Sequence, residues 1–215
     1  MKKITLVTDN PKSWIIPYVE VLEHQLKAAN DVAWVTRVKD IPQGDMAFFL
    51  GCGQIVPPDI LKRNKHNLVV HESKLPHGKG WSPLTWQILE GKNSIPITLF
   101  EAVESVDSGD IYLQDEMIFE GHELLDELHQ VQGEKTIALV KKFIEQYPVI
   151  VGQPQRGRES FYPKRQPHDS ELDVHKTIAE QFDCLRVVDN QRYPAYFKYR
   201  GKEYILKIIK KSDAK

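Results

Sequence analysis

The sequence predicts an α/β fold with a Rossmann-like, mostly parallel sheet and a small C-terminal α/β appendage. Short apolar runs that suit β-strands occur at residues 4–7, 32–35, 46–50 and 68–70. Stretches with helical features lie between them, and strands that alternate with helices form parallel sheets covered on both faces. The chain has 215 residues, which is enough for one such domain and a short addition.

The helices follow from apolar spacing and from proline. Apolar residues recur at helical intervals from about residue 16 to 29, and Pro58 favours the start of a short helix. The longest helical pattern covers residues 123–147, where Gly133 is a candidate break. A further helix near residues 86–89 and strands at 96–103 and 111–117 complete the predicted elements.

The composition changes after residue 150 and suggests three parts. Residues 1–150 form the predicted main domain, and the Gln-, Arg-, Pro- and Gly-rich residues 151–169 read as a linker. Residues 170–215 are predicted to form a small unit with a helix near 174–182 and a hairpin over 196–209.

Charge and cysteine content exclude several classes of protein. The 29 basic and 30 acidic side chains give a net charge of −1, whereas nucleic-acid-binding domains are usually strongly basic. We therefore expect no nucleic-acid partner. Cys52 and Cys184 form no CxxC pair, which argues against a structural zinc site or a disulfide framework. No apolar run reaches the length of a signal peptide or a membrane helix, so we expect a cytoplasmic protein without a membrane partner.

The first candidate site residue is His71, which directly follows the predicted strand at 68–70 and begins a Gly- and Pro-rich loop. Ligands of parallel sheets bind beyond the carboxyl ends of the strands. Histidine titrates near neutrality and can exchange a proton or stabilise an oxyanion. Taken alone, a histidine that merely ends the strand is an equally good interpretation.

The second candidate is Asp107, in the turn Asp107-Ser108-Gly109-Asp110 between two predicted strands. Aspartate and glycine suit turns for conformational reasons, so an ordinary turn is the simpler interpretation of this segment by itself.

The two segments together resemble the folate-dependent formyltransferases, the family of glycinamide ribonucleotide, methionyl-tRNA and sugar-nucleotide enzymes. The resemblance rests on HxSxLPxxxG at residues 71–80, VDSGDIY at 106–112 and GQIVP at 53–57. It implies that His71 and Asp107 are the catalytic pair, separated by 107 − 71 = 36 positions. It also implies a pocket for N10-formyltetrahydrofolate as cosubstrate, lined by Gln54, Ile55, Val56, Val103, Glu104 and Val106.

The family's chemistry is acyl transfer to a neutral amine, which attacks the formyl carbon. By resemblance, His71 would stabilise or protonate the oxyanion, and Asp107 would hold His71 and accept the amine proton. The reaction requires no metal and no covalent enzyme intermediate. Because the acceptor must be unprotonated, we expect activity to rise with pH through neutrality.

One position departs from the family pattern, because Val69 stands where the family usually places an asparagine that helps to hold the oxyanion. Side chains alternate along a strand, so Val69 faces the same side as His71 but offers no donor. Asn67 would lie about 7 Å further back, too far to replace it. Either another donor, such as a backbone N–H or His77, replaces it, or the activity is altered.

The expected acceptor is the amine of a nucleotide-linked amino sugar. Candidate substrate contacts are Lys74, His77, Lys79 and Arg186. The alternative for the two lysines is that they are simply exposed to solvent. Residues 161–169 resemble the stretch after the catalytic domain in methionyl-tRNA and sugar-nucleotide formyltransferases, and residues 185–186 and 190–197 resemble the tails of sugar N-formyltransferases. The apolar tail would equally suit a homodimer. The alternatives are a formyl-folate hydrolase, a glycinamide ribonucleotide or methionyl-tRNA formyltransferase, and a non-catalytic folate-binding module.

Overall fold

A computed structural model describes residues 1–211 of the chain. The strands, in chain order, are β1 (Lys3–Val7), β2 (Asp31–Val35), β3 (Gly44–Phe49), β4 (Asn64–His71), β5 (Lys79–Gly80), β6 (Ser94–Glu101), β7 (Ile111–Ile118), β8 (Phe161–Tyr162), β9 (Glu171–Leu172), β10 (Ala195–Tyr199) and β11 (Lys202–Leu206). The helices are α1 (Ile16–Lys27), α2 (Pro58–Leu61), α3 (Pro83–Leu89), α4 (Leu125–Gln146) and α5 (Phe182–Arg186). Short 3-10 segments lie at Val38–Asp40, Pro167–Ser170 and Ala179–Gln181.

The main sheet has six strands in the order β2-β1-β3-β4-β6-β7. The first four run parallel, whereas β6 and β7 join by antiparallel pairing. The predicted α/β fold with a mostly parallel sheet is therefore confirmed. The parallel strands end at one edge of the sheet, and His71 is the last residue of β4 at that edge.

The larger apolar core lies between the sheet and the helices α1 and α4. The predicted break at Gly133 is wrong, because α4 continues through it from Leu125 to Gln146. A Cβ at Gly133 would lie 2.6 Å from ring atoms of Tyr18, so the missing side chain allows α1 to approach α4 closely. Among the described residues, no helix is both long enough and apolar enough to cross a membrane.

The opposite face of the sheet carries a smaller core. Its buried residues include Val7, Ala47 and Phe49 from the strands and Ile60 from α2, with Val69 and Val56 packed against them. This layer ends at the carboxyl edge of the strands, where the segment after β3 leads into α2. The sheet is therefore covered on both faces but left accessible at the edge that carries His71.

The segment 151–169 differs from the predicted linker because it packs along the main domain. Gln153 exchanges two backbone hydrogen bonds of 2.8 Å with Ile111 at the start of β7. Further on, β8 pairs in parallel with β5. These backbone contacts, which composition does not reveal, fix the segment beside the loops that follow β4 and β6.

The C-terminal unit contains the predicted hairpin, formed by β10 and β11, and β9 pairs with β10. The predicted helix at 174–182 is wrong, because α5 begins only at Phe182. The side-chain amide of Gln181 donates to the carbonyls of Asp173, Lys176 and Thr177, and these bonds hold an irregular loop instead. A small core around Leu185, Val188 and Ala195 stabilises the unit.

Arg186 joins this unit to the main domain from a buried position, with 1% of its surface exposed. Its guanidinium donates to the Glu123 carbonyl and carboxylate at 3.1 Å, and to Asn93 and Asp183 at 2.9 Å. All three guanidinium nitrogens of Arg186 thus donate to acceptors inside the protein.

We expect Arg186→Met to lower the free energy of unfolding by about 3 kcal/mol, because it leaves the Glu123 carboxylate without its buried counter-charge. Urea unfolding measures the change. Arg192→Met is the matched control, because Arg192 is exposed and its pair with Asp189 is expected to contribute at most about 1 kcal/mol. Equal losses in the two variants would contradict a special role for Arg186.

Candidate active site

A cleft of about 450 Å³ lies at the carboxyl edge of the parallel strands. Its walls come from the residues after β3, from the end of β4, from the loop after β6 and from one face of α4. The cleft thus occupies the position where parallel sheets bind their ligands.

His71 is buried at the end of β4, with its ring edge at the cleft. Its Nε2 lies 2.9 Å from the carbonyl oxygen of Gly78. A carbonyl oxygen only accepts hydrogen bonds, so Nε2 carries the hydrogen and donates it in the neutral ring. The other ring nitrogen, Nδ1, then bears the lone pair that can take up a proton.

Asp107 lies beside His71, with Oδ2 3.8 Å from Nε2. This distance is longer than a hydrogen bond, but it is short enough for the carboxylate to stabilise a protonated imidazole. Oδ2 also accepts a 2.9 Å hydrogen bond from the backbone N–H of Gly80. The structure thus brings the two predicted residues together across 36 positions of sequence.

The Asp107 backbone is held in the left-handed region, with φ of +51°, which non-glycine residues seldom adopt. The side-chain amide of Gln155 donates to the carbonyls of Asp107 and Gly109, at 2.9 and 2.8 Å. Gln155 belongs to the segment 151–169, and it was not predicted as a site residue. The segment therefore fixes the loop that presents the carboxylate.

All six predicted folate-pocket residues line the cleft: Gln54, Ile55, Val56, Val103, Glu104 and Val106. Ile55, Val103 and Val106 are exposed, and Ile55 exposes 74% of its surface. Apolar side chains exposed together mark ligand or partner sites.

The loop after β3 is positioned by Asp9, which follows β1. Its Oδ2 accepts hydrogen bonds of 2.8 Å from the backbone N–H groups of Gly53 and Gln54. These contacts fix the start of the predicted GQIVP segment at the cleft.

The predicted substrate contacts do not lie in the cleft. Lys74 and His77 are exposed beyond its rim. Lys79 is buried, and its ammonium donates to Glu159 at 2.6 Å and to Ser108 at 2.8 Å. Arg186 is equally occupied inside the protein. Neither Lys79 nor Arg186 presents a free positive charge, so the prediction that these two residues contact the substrate is wrong.

Val69 lines the cleft, as the alternation along β4 predicts. Asn67 is buried elsewhere, and its side-chain amide donates to the Leu61 carbonyl at 2.8 Å. His77 lies outside the cleft, and the N–H of Gly80 is already bonded to Asp107. None of the residues considered from the sequence thus replaces the family's asparagine.

The sequence analysis missed the wall formed by α4 and the loop after β1. Gln132 and Thr136 are buried polar residues of α4 that line the cleft with Trp14 and Glu72. Gln132 donates to the Glu72 carboxylate at 2.6 Å. The sequence does carry a signal for this wall: Gln132 and Thr136, four positions apart, interrupt the apolar stripe of the predicted helix with polar side chains.

In the part of the chain that the structure describes, the lining of the cleft contains three carboxylates, on Glu72, Glu104 and Asp107, and no lysine or arginine. Cys52 also lines it, but burial raises the pKa of its thiol to about 12, so it is not a ready nucleophile. Within residues 1–211 no group of three or more His, Cys, Asp or Glu side chains is placed to hold a metal ion.

Comparison with known proteins identifies the family. The formyl transferase family model matches residues 13–141, or 129 of the 215 residues. The chain belongs to the formyl transferase family. The resemblance carried by the segments around His71 and Asp107 is thereby confirmed.

Two sequence relatives are methionyl-tRNA formyltransferases. That of Sulfurihydrogenibium sp. is 26% identical over 207 residues, covering 91% of this chain and 64% of the relative. That of Bacillus cereus is 36% identical over 149 residues, covering 66% of this chain and 46% of the relative. The chain therefore spans less than two thirds of the length of either relative.

Solved structures share the fold. A methionyl-tRNA formyltransferase from Clostridium thermocellum has a TM-score of 0.84 at 20% identity, covering 100% of this chain and 96% of that one. HypX from Aquifex aeolicus in complex with tetrahydrofolic acid has a TM-score of 0.77 at 16% identity, covering 96% and 37%. A sugar N-formyltransferase from a Shewanella species has a TM-score of 0.67 at 16% identity, covering 97% of each chain.

Proposed function

We propose that this protein transfers a formyl group from N10-formyltetrahydrofolate to the amine of a nucleotide-linked amino sugar. The observation that carries the proposal is the His71–Asp107 pair at the carboxyl end of β4, facing a cleft with an exposed apolar wall. The cosubstrate supplies a carbonyl carbon that is open to attack by an amine. The protein supplies orientation, charge stabilisation and proton transfer.

His71 acts on the formyl oxygen. When its ring is protonated, Nε2 donates to the Gly78 carbonyl and Nδ1 donates to the oxygen that becomes negative as the amine adds. Asp107 stabilises this protonated ring from 3.8 Å. The buried position of His71 strengthens both interactions, because water screens them less.

Asp107 also accepts a proton from the amine after attack, directly or through one water molecule. The Gly80 N–H and the Gln155 contacts hold its carboxylate and backbone before the reaction begins. Because the amine must lose its charge, we expect kcat/KM for the acceptor to rise with pH through neutrality. A profile that stays flat from acid to alkaline pH would contradict this scheme.

The charges around the cleft support a small acceptor whose phosphates stay outside it. Among the described residues, the cleft lining has carboxylates but no lysine or arginine, which disfavours a polyanion in the reacting part. A second cavity of about 740 Å³ shares Trp14 with the cleft and is lined by Lys12, whereas its Arg192 and Lys210 are paired with Asp189 and Glu127. An acceptor with its amine in the cleft and a nucleotide beyond Trp14 suits this arrangement.

The test is a panel of amines offered with N10-formyltetrahydrofolate. It contains UDP- and dTDP-linked 3-amino and 4-amino sugars, glycinamide ribonucleotide and methionyl-tRNA. Mass spectrometry detects the replacement of H by CHO. We expect an amino-sugar nucleotide to be formylated, and formate release without formylation of any amine would instead establish a hydrolase.

A second candidate is formylation of methionyl-tRNA. The names of the two sequence relatives favour it, as does the TM-score of 0.84 with the Clostridium thermocellum structure. Formylation of methionyl-tRNA with no turnover of any sugar nucleotide would replace the first candidate with this one.

A separate prediction concerns the exposed apolar residues of the cleft, Ile55, Val103 and Val106. Val106→Asp is expected to weaken binding of 5-formyltetrahydrofolate roughly 10- to 100-fold, because a bound heterocycle would bury the new charge unpaired. Val106 is exposed, so folding should be unaffected. Val149→Asp, at an exposed valine that does not line the cleft, is the control for calorimetric titration. Equal affinities in both variants would place the folate elsewhere.

A further inference from the structure

Glu72 follows His71 directly and has no part in the transfer described above. Because side chains alternate at the strand end, it points to the other side of the sheet from His71, toward α4. Its Oε1 accepts a 2.6 Å hydrogen bond from Gln132, and its backbone carbonyl accepts another from Gln87. The carboxyl group also lines the cleft that contains His71 and Asp107.

The wall around Glu72 is otherwise uncharged. Trp14 and Ile15 come from the loop before α1, and Gln132 and Thr136 come from α4. The other charged groups that act on Glu72 are His71, which favours its ionised form, and Asp107, which disfavours it. Burial has the largest effect and raises the pKa of the Glu72 carboxyl above its usual value.

Within residues 1–211 the cleft lining offers a carboxylate at this position no lysine or arginine, and His71 is the charge that favours its ionised form. The Glu72 side chain is half-buried, and a carboxylate withdrawn from water is normally compensated by a counter-charge. The acceptor amine is a cation in neutral solution and must reach the formyl carbon beside His71. Its ammonium group would therefore supply the missing charge.

We propose that Glu72 binds the acceptor amine as an ammonium ion and takes one of its protons, which selects basic amines as substrates. This inference rests on the proposed formyl transfer. An N–H bond of the ammonium breaks, its electron pair stays on nitrogen, and an O–H bond forms on Glu72. The neutral amine then attacks, and Asp107 receives the second proton.

The two carboxylates thus divide the two protons that the nitrogen loses. The proton on Glu72 returns to solvent, and the proton received by Asp107 is available for the departing folate nitrogen. The raised pKa of Glu72 suits this step, because it narrows the gap to the pKa of an alkylammonium ion and makes proton transfer less unfavourable.

The test compares Glu72→Gln and Glu72→Asp with wild type, using the panel amine that wild type formylates. We expect Glu72→Gln to lower kcat/KM for that amine about 100-fold near neutral pH. The loss should shrink as pH approaches the pKa of the amine, because solution then supplies the neutral form. Glu72→Asp keeps the carboxylate and should restore part of the loss and the wild-type shape of the pH profile.

Glu134→Gln is the matched control, because Glu134 lies on the exposed side of α4 and outside the cleft. The affinity for 5-formyltetrahydrofolate should be unchanged in all three variants. A Glu72→Gln loss of the same size at every pH, with Glu72→Asp no better, would reduce Glu72 to a structural tie to Gln132 and overturn the inference alone. Formate release with no amine formylated would overturn the proposed function, and this inference with it.

Discussion

His71→Asn is expected to lower kcat for formyl transfer by about 10²- to 10⁴-fold, which is the usual contribution of a positioned general acid or base. Asparagine is similar in size and can still donate to the Gly78 carbonyl, so the loop after β4 should keep its position. What it cannot supply is a titratable nitrogen facing the formyl oxygen. The measurement is single-turnover transfer to the panel acceptor, alongside the affinity for 5-formyltetrahydrofolate.

The affinity should stay within about twofold of wild type, because His71 acts on the reacting oxygen rather than on the apolar wall. His24→Asn is the control, because His24 is an exposed residue of α1 far from the cleft lining. If His71→Asn turned over every tested acceptor at the wild-type rate, the pair would not be catalytic. A non-catalytic folate-binding module would then be the better description.

Gly109→Ala is expected to abolish most activity and to lower the free energy of unfolding by about 1–3 kcal/mol. A Cβ there would lie 1.9 Å from the backbone oxygen of Glu101 and 2.8 Å from its carbonyl carbon. Neither atom can move without disturbing the end of β6. The loop must therefore shift, and with it Asp107, two residues earlier.

Urea unfolding and kcat together separate the two effects of Gly109→Ala. The control is Gly91→Ala. An alanine at position 91 would be strained by its backbone φ of +80°, but its Cβ would meet no atom within 4 Å. We expect that variant to lose about 1–2 kcal/mol from backbone strain and to keep its kcat. Wild-type kcat in Gly109→Ala would show that the placement of Asp107 tolerates a shift of this loop.

The sheet and the place of His71 could be predicted because they depend on local patterns. Apolar runs such as residues 46–50 are dictated by burial on both faces, and the end of such a run marks the carboxyl edge. The predicted folate-pocket positions, such as Ile55 and Val106, came from the resemblance, and both residues line the cleft. Glu72 could have been found by the same alternation that placed Val69.

The errors concern partners that are distant in sequence. Lys79 and Arg186 were predicted as substrate contacts because a sequence shows a charge but not its counter-charge. Their partners lie far along the chain: Glu159 for Lys79, and Glu123 and Asn93 for Arg186. Gly133 was predicted to break the helix because glycine has a low helix propensity. In the structure it lies within α4, where the absence of a side chain makes room for the ring of Tyr18.

The segment 151–169 has a consequence for how this protein can be cut and recombined. The family match ends at residue 141, yet Gln155 holds the Asp107 loop and β8 pairs with the strand that contains Gly80. A fragment that stops at residue 150 would retain the six-stranded sheet but lose the Gln155 hydrogen bonds that hold the backbone of the Asp107 loop. In a chimaera, the C-terminal unit can be exchanged only downstream of Tyr162, because the contacts that hold the Asp107 loop and β5 extend that far.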